Sequence, residues 1–316
     1  MSFRALIKRS ITLTCAYYLF DDWRARRRLA GGELATNSGT RHENLDIDAS
    51  LAYVDRVYSD YLAYGGLDRF SGTIAEIGPG DSFAVAIRIL GGGADHVHTI
   101  DRWISRRNAV AQQRMYAALT ERYELSHLFD GEPAEKTIRN LTYHAGQPAE
   151  TFFRESGLRF DAILSRAVME HLYDPLAALD DMAQSLAPGG IMIHRIDLRD
   201  HGMFADHHPL TLLTLSDGLH RNMTRGAGRP NRLLMPSYRA WLEGSGLSGS
   251  IVVSRLAGID GELNPAPWEA LDTGLQAQAL NCVRTIRPQL AKRFKAMRDE
   301  ELAVAGLVLV AQKTTT

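Results

Sequence analysis

The stretch Ile74-Ala75-Glu76-Ile77-Gly78-Pro79-Gly80-Asp81-Ser82 decides the fold class of this chain. It begins within a short apolar strand, predicted over 73–77, and its glycine turn leads into a helix predicted over 83–90. A glycine turn between a strand and a helix lets backbone N–H groups approach a ligand closely. Open α/β sheets bind ligands beyond the carboxyl ends of their strands, where the strand order reverses. We therefore expect a ligand site at this turn.

The rest of the chain continues this alternation of strands and helices. The pattern predicts an α/β fold, a Rossmann-like seven-stranded and mostly parallel sheet with helices on both faces. The other predicted strands are 96–100, 141–144, 160–164, 191–196, 249–254 and 306–312. The other predicted helices are 49–62, 107–123, one that ends at Leu186 after the fourth strand, 237–242 and a helical stretch over 268–302. Pro188-Gly189-Gly190 predicts a turn before the fifth strand.

Two segments interrupt or precede the alternation, and they set the predicted domain organisation. Residues 1–45 form an N-terminal helical and basic segment, followed by one catalytic domain over 46–316. Insertions are predicted at about 200–236 and 257–303, where the strand–helix alternation lapses. The first insertion follows the fifth strand and contains four arginines, so it predicts either a lid that binds an anionic group or a solvated face.

The charge balance and cysteine content exclude several classes of protein. Among 316 residues, 36 Lys and Arg oppose 37 Asp and Glu, for a formal net charge of −1. This balance gives no overall field that would gather nucleic acid, so we expect no nucleic-acid partner. Two cysteines, Cys15 and Cys282, cannot build a disulfide framework or a cysteine-rich zinc site. The composition is typical of a cytoplasmic protein.

The N-terminal segment allows two interpretations. Its apolar run, 11–20, is too short to span a bilayer, and Asp21-Asp22-Trp23-Arg24 follows in place of a signal-peptide cleavage site. The run is flanked by basic residues, namely Arg4, Lys8, Arg9, Arg24, Arg26, Arg27 and Arg28. The segment is either a helix packed on the catalytic domain or a peripheral contact with the anionic inner membrane surface.

Three residues around the glycine turn define the ligand that it suits. A dinucleotide fingerprint needs glycine or alanine three positions after its second glycine, but Phe83 occupies that position. Glu76, two residues before the first glycine, can hold a cationic amino group and would repel a pyrophosphate. Asp101 ends the second strand, where its carboxylate can accept hydrogen bonds from ribose hydroxyls. These features favour a ligand with a ribose and an ammonium group but no phosphate.

The glycine turn and three later segments resemble those of a known family. Glu76-Ile77-Gly78-Pro79-Gly80 is similar to motif I of the class I S-adenosylmethionine-dependent methyltransferases, of the type 11 and 12 kind. Residues 160–171, 186–190 and 306–313 resemble the fourth strand, the turn before the fifth strand and the closing strand of that family. The resemblance covers about 74–199.

The resemblance implies S-adenosylmethionine as cofactor and assigns a set of binding residues. Glu76, Gly78, Pro79 and Gly80 would line its methionine half, and Asp101 would bind its ribose. The remaining implied contacts are Arg102 or Trp103 beside the adenine, Gly146 and Gln147 near the adenine amino group, Ser165 and Arg166 through their backbone, and Tyr64 in a lid over 61–66. Gln147 departs from the acidic residue usual in the family.

The predicted acceptor site follows the fifth strand. Methyl transfer needs the acceptor held in line with the methyl group, and an oxygen or nitrogen acceptor can need a base. Candidates are His171, in a Glu-His pair on the helix after the fourth strand, with His194, Asp197 and His201. Charges on a buried strand require partners, so they predict either a pocket for a hydroxylated or charged acceptor or a structural ion-pair network. The histidine spacing matches no tight ligand motif, so we expect no metal site.

The sequence therefore predicts a methyltransferase that acts on an oxygen, nitrogen or sulfur atom of a small polar acceptor. Two alternatives stay open at this stage. One is an NAD(P)-dependent oxidoreductase with a Rossmann fold, and the other is a non-catalytic scaffold that binds the cofactor.

Overall fold

A computed structural model describes residues 9–36, 42 and 45–315. Its main sheet has seven strands in the order β3-β2-β1-β4-β5-β7-β6. The strands are β1 Thr73–Ile77, β2 His96–Asp101, β3 Leu141–Ala145, β4 Phe160–Arg166, β5 Leu186–Asp197, β6 Ser248–Leu256 and β7 Val304–Gln312. β1 pairs in parallel with β2 and β4, and β2 pairs in parallel with β3. The sheet confirms the predicted α/β, Rossmann-like fold.

The helices alternate with these strands as the sequence predicts. They are α1 Ile11–Ala30, α2 Ile47–Gly65, α3 Ala84–Gly91, α4 Ala109–Tyr123, α5 Ala149–Glu155, α6 Pro175–Ser185, α7 Asp217–Thr224, α8 Met235–Gly244, α9 Thr273–Ile286, α10 Lys292–Lys295 and α11 Asp299–Ala303. Two further short strands, Ala35–Thr36 and Ile104–Ser105, pair in parallel.

The glycine turn after β1 lies where the strand order reverses, because β2 lies on one side of β1 and β4 on the other. Gly78 and Gly80 have φ of 75° and 69°, which glycine adopts without the clash that a Cβ would cause. The Gly78 N–H donates to the Ile100 carbonyl oxygen at 2.8 Å, which joins the turn to the end of β2. The turn therefore has the position that ligand-binding loops of open α/β sheets occupy.

The chain divides into two compact units. The cofactor unit, as we name it here, consists of 34–166, 177–194 and 310–316. Its core is built where α2 and α3 pack on apolar strands, with Val54, Val57, Phe83 and Ile87 almost fully buried. Tyr116 from α4 is also buried, and its hydroxyl accepts the Phe83 N–H at 3.0 Å. This core holds the start of α3 against the glycine turn.

The second compact unit, named here the C-terminal unit, consists of 1–33, 167–176 and 195–309. Cys15 and Tyr18 of α1 pack in a separate apolar cluster with Phe204, Leu212 and other residues from the region after β5. The buried Asp22 carboxylate accepts the Gly226 and Ala227 N–H groups at 2.6 and 2.9 Å. Both predicted insertions lie in this unit, and the predicted boundaries at 45 and 46 differ from those of the compact units.

Two local predictions were wrong. The fourth strand is followed by a 3₁₀ turn, Met169–His171, and not directly by a helix, because the chain reverses at Ala167 with φ 56° and α6 begins only at Pro175. The triplet 188–190 lies within β5, since the Lys313 N–H donates to the Gly190 carbonyl oxygen at 2.9 Å and extends the strand pairing.

Candidate functional site

A cavity lies at the glycine turn of the cofactor unit. Its wall combines the turn with one face of α2, the end of β4 and the start of α3, namely His42, Tyr53, Val57, Tyr61, Glu76, Ile77, Gly78, Pro79, Ser82, Val85 and Arg166. Its volume is about 50 Å³. Pockets that enclose a whole small molecule begin at roughly 300 Å³. A nucleoside ligand must therefore extend beyond this cavity or displace part of its wall.

Glu76 contributes a buried carboxyl to this cavity. Its side chain is 5% exposed, and Oε2 has no hydrogen-bond partner among the described residues. Removal from water raises the pKa of this carboxyl to about 8. A buried carboxyl without a partner is costly, and a ligand ammonium group would satisfy it. The observed geometry fits the amino group of S-adenosylmethionine and opposes a pyrophosphate.

Asp101 ends β2 next to the turn. Burial raises its pKa to about 7, although the Trp103 N–H donates to its Oδ1 at 3.3 Å. The Gln147 N–H donates to the Asp101 carbonyl oxygen at 3.0 Å, so the loop after β3 lies beside the end of β2. Gly146, with φ 72°, allows that close approach. The predicted ribose and adenine residues Asp101, Trp103, Gly146 and Gln147 are thus brought together.

The other predicted cofactor residues have more specific surroundings. Arg102 forms an ion pair with Glu150 at 2.9 Å, and Arg166 forms one with Asp60 at 2.6 Å. Ser165 is fully buried, and its hydroxyl lies 2.8 Å from Nδ1 of His194. Arg102 is therefore held on α5, whereas Arg166 is held on α2 and lines the cavity.

His194 is fully buried on β5. Burial lowers the pKa of its imidazole to about 3, so the ring is neutral at physiological pH. Its ring contacts the Ser165 hydroxyl, which joins β5 to the end of β4. The catalytic role of His194 stays a prediction.

The predicted lid segment contributes Tyr61 to the cavity, whereas Tyr64 is partly buried and packs against the hydrophobic core. Burial, followed by the charge of Glu76, raises the pKa of the Tyr61 hydroxyl well above its usual value. Sequence reasoning missed Tyr53 and Val57. Their spacing of four residues with Tyr61 places all three on one face of α2 and was the available signal.

A second group of titratable side chains lies in the C-terminal unit. Glu170 is 1% exposed, and its Oε1 lies 3.4 Å from Nε2 of His201. The same His201 nitrogen lies 3.8 Å from Asp197, and the rings of His171 and His201 stand edge to face with centroids 4.8 Å apart. The structure thus brings together three of the four predicted catalytic residues, with Glu170 added.

Backbone contacts fix the two histidines of this group. Nδ1 of His171 lies 2.8 Å from the Gly228 carbonyl oxygen, so it donates there and Nε2 carries the lone pair. His201 has φ 51°, a costly conformation for a residue with a Cβ. The Asp200 carboxylate holds this turn by accepting the Gly202 and Phe204 N–H groups at 2.9 and 2.8 Å.

The two histidines titrate in opposite directions. Burial lowers the pKa of His171, and the nearby carboxylates only partly offset it. Burial also acts to lower the pKa of His201, but the Glu170 and Asp197 carboxylates outweigh it and the net pKa is raised. Asp197 stays ionised because its contacts with Arg199 outweigh burial and lower its pKa. These shifts favour the neutral form of His171 and the cationic form of His201.

Glu170, His171 and His201 also have the composition of a metal site. Each residue offers one potential ligand atom, and these atoms lie within 4.8 Å of one another. Among the described residues, no other group of three such side chains lies this close together. The sequence prediction of no metal site therefore stays a prediction.

Two other buried arginines, one on β5 and one in the first insertion, form ion pairs within the same unit. Arg195 pairs with Glu262 at 2.9 Å, and Glu262 also binds Arg255 at 2.8 Å. The Arg232 guanidinium, buried in the first insertion, binds Asp217 at 2.5 Å. Arg195 thus belongs to an ion-pair network. Asp197 pairs with Arg199 at 2.6 Å and also contacts His201, so both predicted alternatives stay open.

Comparison with known proteins identifies the family. A family model described as a methyltransferase domain matches residues 51–248. No curated protein matches the chain.

Two solved structures resemble the chain at low identity. N-methyltransferase NodS from Bradyrhizobium japonicum WM9, in complex with S-adenosyl-L-homocysteine, is 14% identical over 92% of this chain and 98% of that one, with a TM-score of 0.41. Phosphoethanolamine N-methyltransferase 2 from Haemonchus contortus, in complex with S-adenosyl-L-methionine, is 13% identical over 82% of this chain and 52% of that one, with a TM-score of 0.43.

The family model matches more than half of the chain, and its match includes the glycine turn, Asp101 and the segment after β4. The chain belongs to the class I S-adenosylmethionine-dependent methyltransferases, and S-adenosylmethionine is its cofactor.

Proposed function

We propose that this enzyme methylates an oxygen, nitrogen or sulfur atom of a small polar acceptor and that His171 and His201 act on that acceptor. The observation that carries the proposal is the pair of adjacent imidazoles with opposite pKa shifts. In enzymes, neighbouring titratable groups whose environments shift their pKa values in opposite directions often act as the general acid and the general base.

S-adenosylmethionine, when bound, supplies an electrophilic methyl group on its sulfonium sulfur, and the resulting thioether is a good leaving group. Glu76 would hold its amino group, Asp101 its ribose hydroxyls, and the Gly78–Gly80 turn its aminoacyl end through backbone groups. These interactions orient the donor and leave the protein with the task of aligning and deprotonating the acceptor.

His171 would take the acceptor proton at Nε2, since Nδ1 is occupied by the Gly228 carbonyl oxygen. Glu170 and Asp197 favour the cationic form of His201, which would donate a hydrogen bond to a hydroxyl or an anionic group of the acceptor. Together they favour a hydroxylated or negatively charged molecule. A thioether acceptor, which loses no proton, would not need His171.

The first test incubates the enzyme and labelled S-adenosylmethionine with fractions of a small-molecule extract and follows the label into an acceptor. The second measures turnover of that acceptor by variants. We expect His171→Gln to lower kcat by about 10²–10⁴-fold, the usual contribution of a general base. His127→Gln is the matched control, because His127 is exposed and lies outside the group. Cofactor binding should stay unchanged in both variants.

Chelation separates the acid–base interpretation from a metal site at the same residues. We expect turnover to persist after dialysis against a chelator. If chelation abolished turnover and a divalent cation restored it, Glu170, His171 and His201 would be assigned to a metal ion. If His171→Gln kept full turnover, His171 would not be the general base.

A further inference from the structure

Helix α1 has two faces of different character. Thr14, Cys15, Tyr18, Asp22 and Ala25 are buried within the C-terminal unit. From Cys15 onward they recur every three or four residues, as the inner face of a helix requires. This face is anchored by polar contacts, because Asp22 binds the N–H groups of Gly226 and Ala227. The helix therefore has a defined inner side and a defined outer side.

The outer side of α1 is unusually apolar. Of the nine large hydrophobic side chains that are exposed among the described residues, five lie on α1, namely Ile11, Leu13, Leu19, Phe20 and Trp23. Phe20 is 56% and Trp23 49% exposed, and their rings stack with centroids 5.7 Å apart. At 100° per residue, Leu13, Phe20 and Trp23 fall within one third of the circumference, opposite the buried face.

Arginines surround this apolar face. The Arg27 guanidinium lies 4.6 Å from the Trp23 ring centroid, and that of Arg24 lies 5.9 Å from the Phe20 ring. Arg28 is also exposed. Both acidic residues of the helix are engaged elsewhere, since Asp21 pairs with Arg229 and Asp22 is buried. The outer face thus presents aromatic and aliphatic side chains with positive charge only.

We propose that this outer face, defined by Leu13, Phe20, Trp23, Arg24 and Arg27, attaches the enzyme to an anionic lipid surface. Apolar and aromatic side chains beside arginines are typical of helices that lie in the bilayer interface, and each basic residue adds attraction to anionic lipids. None of the described helices is long and apolar enough to cross a membrane, so α1 would lie along the surface. The proposal does not depend on the acceptor.

The test is cosedimentation of the full chain with vesicles of phosphatidylcholine alone and of phosphatidylcholine with phosphatidylglycerol. We expect at least about tenfold tighter binding to the anionic vesicles, and weaker binding at high salt, because several arginines contribute. The double variant F20S/W23S and the triple variant R24Q/R27Q/R28Q should each lose at least about tenfold of this binding. Val110→Ser is the control, since Val110 is 61% exposed on α4 in the other unit.

Circular dichroism would verify that the variants fold, as expected for exposed side chains. Equal binding by wild type and F20S/W23S, or no preference for anionic vesicles, would overturn the proposal. A wild-type dimer in light scattering that becomes monomeric in F20S/W23S would also overturn it, because the face would then pair with a second copy of the chain.

Discussion

At the scale of single residues, we expect recognition of the cofactor amino group to depend most on Glu76. Glu76→Gln removes the charge but keeps the shape, so it isolates a charge-assisted hydrogen bond worth about 1.5–3 kcal/mol. We expect calorimetry to show at least about tenfold weaker binding of S-adenosylhomocysteine. Glu121→Gln, on the exposed surface of α4, is the matched control. Unchanged affinity in folded Glu76→Gln would exclude Glu76 from the cofactor site.

The same carboxyl predicts a pH dependence of stability in the free protein. Burial raises the pKa of Glu76 from 4.5 to about 8, so between these values the unfolded chain has lost a proton that the native state keeps. Stability must therefore fall as pH rises through this window. We expect the free energy of unfolding of wild type to decline from pH 5 to pH 8 relative to that of Glu76→Gln. Parallel pH curves for the two proteins would contradict the raised pKa.

The two histidines predict the pH profile of turnover. His171 must be neutral to accept a proton, so activity is lost as pH falls below its lowered pKa; His201 must be charged, so activity is lost as pH rises above its raised pKa. The expected profile of kcat/KM is a bell with its maximum between the lowered and the raised pKa, and its limbs belong to the coupled pair. His201→Gln should abolish the alkaline limb and keep the acid limb. Retention of both limbs would place the titrating groups elsewhere.

At the scale of elements, the loop between β1 and α3 depends on its two positive φ values. Gly78→Ala places a Cβ at φ 75°, and such backbone strain costs about 1–3 kcal/mol. We expect a lower melting temperature together with weaker cofactor binding, because the N–H groups of the turn move. Gly218→Ala on α7 is the control, since nothing lies within 4 Å of its Cβ position and alanine favours a helix. Equal effects of both substitutions would show that the turn is not specially strained.

Elements formed by local sequence patterns were predictable, and contacts between distant segments were not. Apolar runs placed β1 at its observed bounds and located all seven strands, because burial on a parallel sheet requires such runs. The turn at 169–171 was missed since it is held by Asn231, whose N–H donates to the Glu170 carbonyl oxygen across 61 positions at 2.7 Å. The Gly228 contact that fixes the tautomer of His171 spans a similar separation and leaves no local signal.

At the scale of the whole molecule, each compact unit is assembled from three separate stretches of chain. Sequence periodicity predicted strands and helices but could not predict this grouping, because it depends on which apolar faces meet. The N-terminal helix illustrates the point, since Tyr18 finds its partners in Phe204 and Leu212, nearly two hundred residues away. The predicted cofactor residues, in contrast, all lie from 64 to 166, within the cofactor unit.

The division into two units predicts which part of the protein S-adenosylhomocysteine, the product formed from the cofactor, stabilises. A ligand that binds only the native state adds about 2.7 kcal/mol at a concentration one hundred times its Kd. Bound ligand slows the exchange of amides that exchange only when the cavity opens. It does not slow amides that exchange through openings in which the cavity stays intact. We expect S-adenosylhomocysteine to slow hydrogen exchange in α2 and over 76–85 far more than in α9, and NAD to slow neither. Tenfold weaker binding by Glu76→Gln should leave about half of this stabilisation at the same ligand concentration. Equal slowing in α9 would show that these amides exchange only through global unfolding.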